Sequence, residues 1–307
     1  MALVRSTEIL EYAHEAHFAV GAFNADNMEM LQAIVEAAEE ERAPLILQVS
    51  EPTTRYAGLA LPAAMVKAIA AEVSIPVVLH LDHGTSFEQN VRALWAGFTS
   101  LMFDGSRLPY EENVAITKRV VQVAHVAGVP VEAELGKVLQ AGVSPEEVTA
   151  AMTDPDQAAD FVDRTGCDSL AVAVGSIHGM KTRDAELDLA RIRAIHDRVH
   201  LPLVLHGASG VKHDSVQGAI ASGVCKVNVA TYLKQAFVGV IRDELAAAPD
   251  EVDFRVLFPP ARDAAKERVR EKLRLFGASG RITGTGVFRS PPVQRRGAVP
   301  GESQSVD

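Results

Sequence analysis

The strongest constraint on the fold is an alternation of short apolar runs with longer helix-like segments along most of the chain. Eight runs have the β-branched and apolar composition of strands, and four of them begin at or just after a proline, which marks an abrupt strand start. Their nearly continuous hydrophobicity is typical of parallel strands buried on both faces. The predicted strands span residues 20–24, 44–50, 76–82, 100–104, 130–135, 169–174, 202–207 and 226–231.

Amphipathic segments with a helical period separate these runs. Predicted helices span residues 27–41, 62–73, 111–128, 155–166, 187–199 and 231–248, and a terminal helix spans 261–280. Eight strands alternating with helices predict an α/β fold, a (β/α)8 TIM barrel forming a single domain over residues 1–280. A doubly wound open sheet is the second choice, and the lack of a glycine-rich dinucleotide fingerprint disfavours it. Residues 281–307 are rich in Gly, Pro, Ser and Arg without periodicity, and we expect a disordered C-terminal tail.

Composition restricts the partners of the chain. A net charge of −10 argues against general binding to nucleic acid or to a membrane surface. No apolar stretch approaches the length of a membrane span, and the N-terminus has no secretory apolar core. Cys167 and Cys225 form no CxxC motif, and we expect both to be buried small hydrophobes. We therefore expect a soluble, cytoplasmic protein that acts on a small molecule.

Three of the apolar runs lead to histidine followed by glycine. They are VVLHLDHG at His83, AVAVGSIHG at His178 and LVLHGASG at His206. The carboxyl ends of barrel strands meet at one face, which carries the active site in this fold. Three imidazoles delivered to that face are typical of a catalytic zinc site with three protein ligands and one open position.

Carboxylates follow the same strand ends. Asp82 stands directly before His83 and is a candidate for proton transfer, although capping a turn is the simpler role. Asp104 and Glu134 close the fourth and fifth strands, where helix capping is again the alternative. His80 and Glu132, two residues before Asp82 and Glu134, share the strand face of those partners, so they are candidates for orienting the ligands.

Two small-residue segments predict a phosphate site. GASG at 207–210 follows the seventh strand and NVAT at 228–231 closes the eighth, the positions at which many barrels bind phosphate. Small side chains let backbone N–H groups approach an anion, and Ser209 and Thr231 add hydroxyl donors.

At these residues the chain resembles the class II, zinc-dependent ketose-bisphosphate aldolases. The matching segments are VGAFNADNME, LHLDHGTSFE, SLMFDGS, VEAELG, LAVAVGSIHG, LPLVLHGASG and KVNVAT, which together run from residue 20 to residue 231. The resemblance implies an aldehyde-lyase of carbohydrate metabolism and glycolysis, which cleaves a ketose 1,6-bisphosphate to dihydroxyacetone phosphate and an aldehyde phosphate. It also implies bound Zn²⁺, a monovalent cation near the phosphate site, and a homodimer or homotetramer.

Carried over by position, the resemblance assigns zinc to His83, His178 and His206, and the acid/base role to Asp82. Asp104 and Glu134 match an alternative metal position in the family. Asn24 and Ser50, at the ends of the first two strands, match substrate-contacting positions. The residues implied to hold dihydroxyacetone phosphate are Gly179, Gly207, Ala208, Ser209, Asn228, Val229, Ala230 and Thr231.

Two departures from the family pattern concern the substrate. Family members follow ELG with a glycine-rich loop of the GGxED type, whose acid exchanges the proton on the carbon next to the carbonyl. Here KVLQAGVSPEEV follows ELG and places Gly142 at the acid, so Glu146 or Glu147 would have to replace it. Without a replacement, we expect slow proton transfer or a different substrate. Ala230 in NVAT resembles the tagatose-bisphosphate branch more than the fructose branch.

Three other functions remain open at this stage. A metal-free aldolase would need a Schiff-base lysine, and Lys226 is the one lysine on a predicted strand, although it opens that strand at the opposite end of the barrel. A zinc-dependent barrel hydrolase would have no clear need for GASG and NVAT. A relative with an altered substrate or an impaired proton-shuttle loop would bind a ketose phosphate without cleaving it.

Overall fold

The computed structural model describes residues 3–180 and 184–282. The strands are β1 (Val20–Asn24), β2 (Leu45–Ser50), β3 (Val77–Asp82), β4 (Leu101–Phe103), β5 (Val131–Leu135), β6 (Leu139–Gln140), β7 (Ser169–Val172), β8 (Ile177–His178), β9 (Leu203–Leu205) and β10 (Val224–Val229). Eight of them form one parallel sheet in the order β3-β2-β1-β10-β9-β7-β5-β4. The backbone N–H of Leu81 donates to the carbonyl of Ser100 at 3.1 Å and joins the two edges, so the sheet closes into a barrel.

Helices connect most of the barrel strands, with one helix before the first strand and two after the last. They are α1 (Ser6–Glu15), α2 (Met28–Glu40), α3 (Glu51–Ala57), α4 (Ala60–Glu72), α5 (Phe87–Trp95), α6 (Tyr110–Val126), α7 (Pro145–Ala150), α8 (Pro155–Thr165), α9 (Leu189–Val199), α10 (His213–Ile220), α11 (Thr231–Ala247) and α12 (Phe254–Leu275). The predicted single-domain (β/α)8 TIM barrel is confirmed.

Short connections fix the strand ends that form the site. Ser50 ends β2 and also caps α3, because its hydroxyl accepts a hydrogen bond from the backbone N–H of Thr53 at 3.3 Å. The parallel register pairs Ser50 with Asp82 and Asn24 with Gln48. Sequence-distant polar residues therefore meet at one rim of the barrel.

The interior of the barrel is divided between polar and apolar side chains. Met102, Ala171 and Val204 form a small buried cluster of their own, apart from the large core around the helices. The polar side chains buried in the strands include Gln48, His80, Glu132 and Lys226, each two residues before a strand-end residue of the site. Because side chains alternate along each strand, these residues lie one layer below the site-bearing strand ends.

Two predicted boundaries are wrong. Strand β10 begins at Val224, where it pairs with Leu203, so Lys226 lies within the strand and is 1% exposed. Lys226 is therefore not at the opposite end of the barrel. Helix α12 begins at Phe254, before the predicted start at residue 261, and continues through two prolines. The side chain of Asp253 caps it by accepting from the N–H of Arg255 at 2.9 Å, and packing against α2 and α11 supports it beyond the prolines.

The other predictions about the chain have different outcomes. Cys167 and Cys225 are both unpaired and buried, as expected. Within residues 3–180 and 184–282, no helix has the length and apolarity that crossing a membrane requires. The predicted tail over 281–307 lies outside the described residues except for 281–282, so its disorder stays a prediction.

Candidate active site

The three predicted histidines converge at the carboxyl ends of the strands. His83 directly follows β3, His178 ends β8, and His206 directly follows β9. One ring nitrogen from each lies within 4.8 Å of those of the other two. His83 has a left-handed backbone with φ of 53°, which is uncommon for a side-chain-bearing residue. This turn aims the ring inward after the strand has ended.

Carboxylates orient two of the imidazoles. Nδ1 of His83 lies 2.7 Å from Oδ2 of Asp104, and Nε2 of His206 lies 2.8 Å from Oε1 of Glu132. The remaining nitrogens, Nε2 of His83 and Nδ1 of His206, face each other at 2.9 Å. Two imidazole lone pairs at this distance repel, so either a proton or a metal ion must lie at the contact. Carboxylate-oriented imidazoles are the usual arrangement around protein-bound zinc, and the donor set therefore fits the metal.

The surrounding charges favour a cation at the same point. Burial opposes protonation of His83, but the carboxylates of Asp82, Asp104 and Glu134 raise its pKa to about 10. Burial and the neighbouring His83 lower the pKa of His178 to about 4 and also lower that of His206. Two rings are thus neutral, as metal ligation requires, and a metal at the third would displace one proton.

Asp82 is held as a buried carboxylate beside the histidines. Its Oδ2 accepts from Nδ2 of Asn24 at 2.9 Å, and its Oδ1 accepts from Nδ2 of Asn228 at 3.3 Å. Although burial raises the pKa of Asp82, the charges of His83, His206 and Lys226 and the Asn24 hydrogen bond lower it below the usual value. Asp82 also lines the cleft, so it is ionised, positioned and accessible to a substrate.

Asp104, Glu134 and His83 form a second group that could hold a metal ion, at the alternative metal position that the resemblance implies. Ser106 donates to Oδ1 of Asp104 from both its N–H and its hydroxyl, at 3.1 and 2.7 Å. Burial and the charge of Asp104 raise the pKa of Glu134 to about 8. Its Oε2 has no hydrogen-bond partner among the described residues and lies 3.7 Å from Nδ1 of His83.

The two small-residue segments line the same cleft, which has a volume of about 880 Å³. Gly207 has φ of 68° and begins a 3₁₀ turn, and Thr231 begins α11, so backbone N–H groups are available there. The side chains of Ala208 and Val229 are buried and do not line the cleft. The predicted phosphate residues that do line it are Gly179, Gly207, Ser209, Asn228, Ala230 and Thr231.

The loop after β5 does not bring an acid into the cleft, as proton exchange with a substrate would require. Residues 137–140 line the cleft, whereas Glu146 and Glu147 do not. Glu147 is part of a capping box at the start of α7, where its Oε2 accepts from the N–H of Ser144 at 2.7 Å. Gly142 has φ of 103°, a conformation that favours glycine over an acid. The loop instead pairs with the segment that carries His178, because β6 and β8 form a two-stranded parallel sheet.

Sequence reasoning missed Gln48 and the contact that Lys226 makes. Gln48 donates from Nε2 to Oδ1 of Asn24 at 3.3 Å and so supports the amide that holds Asp82. Lys226 contacts Glu132, the carboxylate that orients His206. A period-2 count from each strand-end site residue would have placed Lys226 on the face of Asn228, two residues further on.

Comparison with known proteins identifies the family. The family model described as fructose-bisphosphate aldolase class II matches residues 4–281. A protein of Bacillus subtilis (strain 168) named probable fructose-bisphosphate aldolase is 46% identical over 285 residues, covering 91% of this chain and 99% of that protein. A fructose-bisphosphate aldolase of Thermus caldophilus is 43% identical over 304 residues, with the same coverage of 91% and 99%.

A solved structure agrees with this assignment. The crystal structure of the YdjI aldolase from Escherichia coli K12 superposes with a TM-score of 0.81 at 38% identity, covering 91% of this chain and 98% of that one. The chain belongs to the class II fructose-bisphosphate aldolase family and is a lyase of this type. The family acts on phosphorylated sugars, and the cleft described above has groups suited to a metal ion.

Proposed function

We propose that the protein catalyses the reversible, zinc-dependent aldol cleavage of a ketose 1,6-bisphosphate to dihydroxyacetone phosphate and an aldehyde phosphate. One observation carries this proposal: three converging imidazoles, the carboxylate of Asp82 and the small-residue segments at 207–209 and 228–231 share one cleft. A metal site alone fits many hydrolases. The small-residue segments suited to a phosphate, together with the buried carboxylate of Asp82, favour a phosphorylated sugar as the substrate.

Different residues of the cleft would bind the metal, the phosphate and the rest of the sugar. His83, His178 and His206 would hold zinc, which when bound polarises the substrate carbonyl and stabilises negative charge that develops on it. The backbone at Gly207–Ser209 and the start of α11 bind the phosphate of the ketose half. Asn24 and Ser50 lie at the rim where the rest of the sugar would extend.

Asp82 performs the first proton transfer in this scheme. In cleavage, its carboxylate takes the proton of the C4 hydroxyl while the C3–C4 bond breaks, and the electron pair of that bond passes to the triose-phosphate half. In condensation the same carboxyl returns the proton to the new hydroxyl. The contacts from Asn24 and Asn228 hold the carboxylate toward the cleft without neutralising it.

The second proton transfer, to the carbon next to the carbonyl, needs a further acid. We infer that Glu146 or Glu147 supplies it only after the 137–150 segment rearranges, because Glu147 now caps α7 and neither residue lines the cleft. Asp104 and Glu134 would offer an alternative metal position that shares His83.

Two ketoses are candidates for the substrate. The relatives at 43% and 46% identity carry the name fructose-bisphosphate aldolase, which supports fructose 1,6-bisphosphate. Ala230 lines the cleft and leaves it without the acid of the fructose branch, which supports tagatose 1,6-bisphosphate. We also propose a monovalent cation near the phosphate, a homodimer or homotetramer, and a cytoplasmic location, all on the strength of the family resemblance.

A cleavage assay on metal-depleted protein tests the proposal. We expect cleavage of at least one of the two ketose bisphosphates after zinc is added, and loss of that activity with a chelator. Activity that survives the chelator, with borohydride trapping of substrate, would instead establish a lysine-dependent aldolase. Tight binding of both substrates without cleavage would identify a non-cleaving relative, and phosphate-independent ester or amide hydrolysis would identify a hydrolase.

Cleft geometry argues against Lys226 and Lys234 as Schiff-base lysines. Lys226 is buried in the barrel and does not line the cleft. Lys137 and Lys234 are the cleft-lining lysines within the described ranges, and Nζ of Lys234 lies 2.6 Å from Oδ2 of Asp26. A Schiff-base lysine needs a neutral amine that reaches the carbonyl, and the ion pair of Lys234 with Asp26 instead favours the charged ammonium.

A further inference from the structure

An ion pair lies inside the barrel, one layer below the histidines. Nζ of Lys226 on β10 is 2.6 Å from Oε2 of Glu132 on β5, and the two side chains are 1% and 2% exposed. Neither side chain lines the cleft, so neither contacts a substrate there. Removing two charges from water is costly unless further hydrogen bonds satisfy both partners. The other contacts of this pair therefore indicate what it does.

Glu132 uses its other oxygen on a histidine of the candidate metal centre. Its Oε1 is 2.8 Å from Nε2 of His206. A carboxylate only accepts hydrogen bonds, so Nε2 carries the proton and donates. The lone pair of His206 is then on Nδ1, which faces Nε2 of His83 at 2.9 Å. The Glu132 contact thus selects the tautomer that can bind a metal at this point.

Lys226 is itself held from the other side. Its Nζ is 3.1 Å from Nε2 of His80, and because an ammonium only donates, His80 accepts and carries its proton on Nδ1. Nδ1 of His80 lies 2.7 Å from Oγ of Ser100, which donates to Oγ of Ser6 at 2.9 Å. Burial and the charge of Lys226 lower the pKa of His80 well below its usual value, which agrees with a neutral ring. The ammonium of Lys226 therefore has two acceptors, Glu132 and His80, and each further donor in this line has one.

We propose that Lys226 is a positioning residue for the metal centre, which holds the Glu132 carboxylate so that His206 presents Nδ1 to the metal. This inference rests on the proposed three-histidine site. Without the lysine, the carboxylate loses the contact that fixes its rotation, and the hydrogen bond to Nε2 is no longer defined. The imidazole then populates both tautomers, one of which has a proton where the metal has to bind.

A pair of matched lysine variants tests this role. Lys226→Met keeps an unbranched side chain, shorter by one atom, and removes its charge. Lys272→Met makes the same change at a second lysine that is 1% exposed but lies beside the ring of Tyr232, 5.0 Å from its centroid, outside the barrel. The readouts are the zinc dissociation constant, from chelator competition, and the melting temperature of the metal-free protein.

We expect Lys226→Met to raise the zinc dissociation constant by about 10- to 100-fold, the usual cost of losing a residue that orients a ligand. Lys272→Met should keep zinc affinity within about twofold of wild type, and both variants should melt at lower temperature. A purely structural role for Lys226 would give the same loss of melting temperature with unchanged zinc affinity. That result, in a folded Lys226→Met protein, would overturn the inference.

A measurement on the wild type covers the case in which Lys226→Met does not fold. Nitrogen-15 NMR of the histidine rings in the metal-free protein should show His206 with its proton on Nε2. A proton on Nδ1 would overturn the positioning role while wild-type zinc binding still supports the proposed function. Failure of the wild type to bind zinc would overturn the proposed function, and this inference with it.

Discussion

His83 and His206 follow strands on opposite sides of the barrel, yet Nε2 of one lies 2.9 Å from Nδ1 of the other. Their strands, β3 and β9, are four positions apart around the sheet in either direction. The contact therefore lies at the centre of the barrel mouth and depends on the closure of the whole sheet. The carboxylates that orient these two rings come from neighbouring parts of the barrel. Asp104, directly after β4, contacts His83, and Glu132 on β5 contacts His206.

Replacing His206 tests the metal centre directly. His206→Ala removes one of three ligands and leaves the Glu132 carboxylate without its imidazole partner. We expect the purified variant to lose most of its bound zinc, measured by elemental analysis against protein concentration. A variant with full metal content would contradict the assignment of His206 as a ligand.

Replacing Asp82 separates chemistry from binding. Asp82→Ala removes the proposed base while the three histidines remain, so zinc content and substrate binding should stay close to wild type. We expect kcat for cleavage to fall by a factor on the order of 10² to 10⁴, the usual contribution of a general base. If kcat changes by less than tenfold, another group accepts the hydroxyl proton.

The glycine that begins the phosphate turn offers a further test. A Cβ at Gly207 would lie 3.0 Å from the backbone carbon and oxygen of Ile177, and its φ of 68° already disfavours alanine. Gly166→Ala is the matched control, because Gly166 has φ of 71° and ψ of 27°, in the same left-handed region, and the nearest heavy atom to an added Cβ is Cγ1 of Val121 at 3.9 Å. The control should lose about 1–2 kcal/mol of unfolding free energy from the backbone conformation alone.

We expect Gly207→Ala to lose more than its control in urea denaturation and to raise KM for the ketose bisphosphate. The displaced segment carries the N–H groups assigned to phosphate, so inorganic phosphate should also inhibit the variant less than it inhibits wild type. Equal KM values for Gly207→Ala and wild type would place the phosphate elsewhere in the cleft.

The ion pair between the end of α2 and the terminal helix α12 predicts that the free energy of unfolding depends on pH. Glu41, at the end of α2, is 10% exposed and lies 2.6 Å from Nη2 of Arg274 on α12. Burial raises the pKa of Glu41, but hydrogen bonds, the largest of them from Arg274, lower it below the ordinary 4.5. A carboxyl group whose pKa is lower in the folded state than in the unfolded state stabilises the folded state at pH values above the unfolded-state pKa. This stabilisation is lost as the pH falls through the folded-state pKa.

Glu41→Gln should therefore lower the unfolding free energy by about 1 kcal/mol at pH 7, and the difference from wild type should shrink below pH 4.5. Urea titrations at a series of pH values measure it. Glu40→Gln is the control, because Glu40 is 46% exposed in its contact with Lys266, and its substitution should have a smaller effect. An unchanged difference between wild type and Glu41→Gln at pH 4 and pH 7 would contradict the ion-pair account.

The barrel and the strand-end residues could be predicted because both depend on local pattern. Buried parallel strands are largely apolar, and a polar residue at the end of such a run, followed by glycine or histidine, can mark the strand end, as at Asp82 and His206. The ion pair between Lys226 and Glu132 could not be predicted in the same way. Each charge lies in the middle of an apolar run, and only the closed sheet shows that β10 and β5 face each other across the interior.

Helix α12 shows a second limit of local reasoning. Proline lacks an N–H and usually ends a helix, so the sequence places the helix start after Pro260. In the structure, α12 begins at Phe254, because contacts with α2 and α11 outweigh the missing hydrogen bonds. The sequence also did not show the role of Glu147 in the loop after β5. A glutamate there could serve as an active-site acid, but in the structure it caps α7.

The small sheet of β6 and β8 attaches one of the three histidines differently from the other two. His83 and His206 are attached to barrel strands, whereas His178 is part of a two-residue ribbon whose other member is Leu139–Gln140. The N–H of Ala141 also donates to the carbonyl of His178 at 3.0 Å. Displacement of the 137–142 backbone would therefore pull His178 with it while the other two rings stay in place. In the proposed zinc site, such a displacement would change the affinity for the ion through this one ligand.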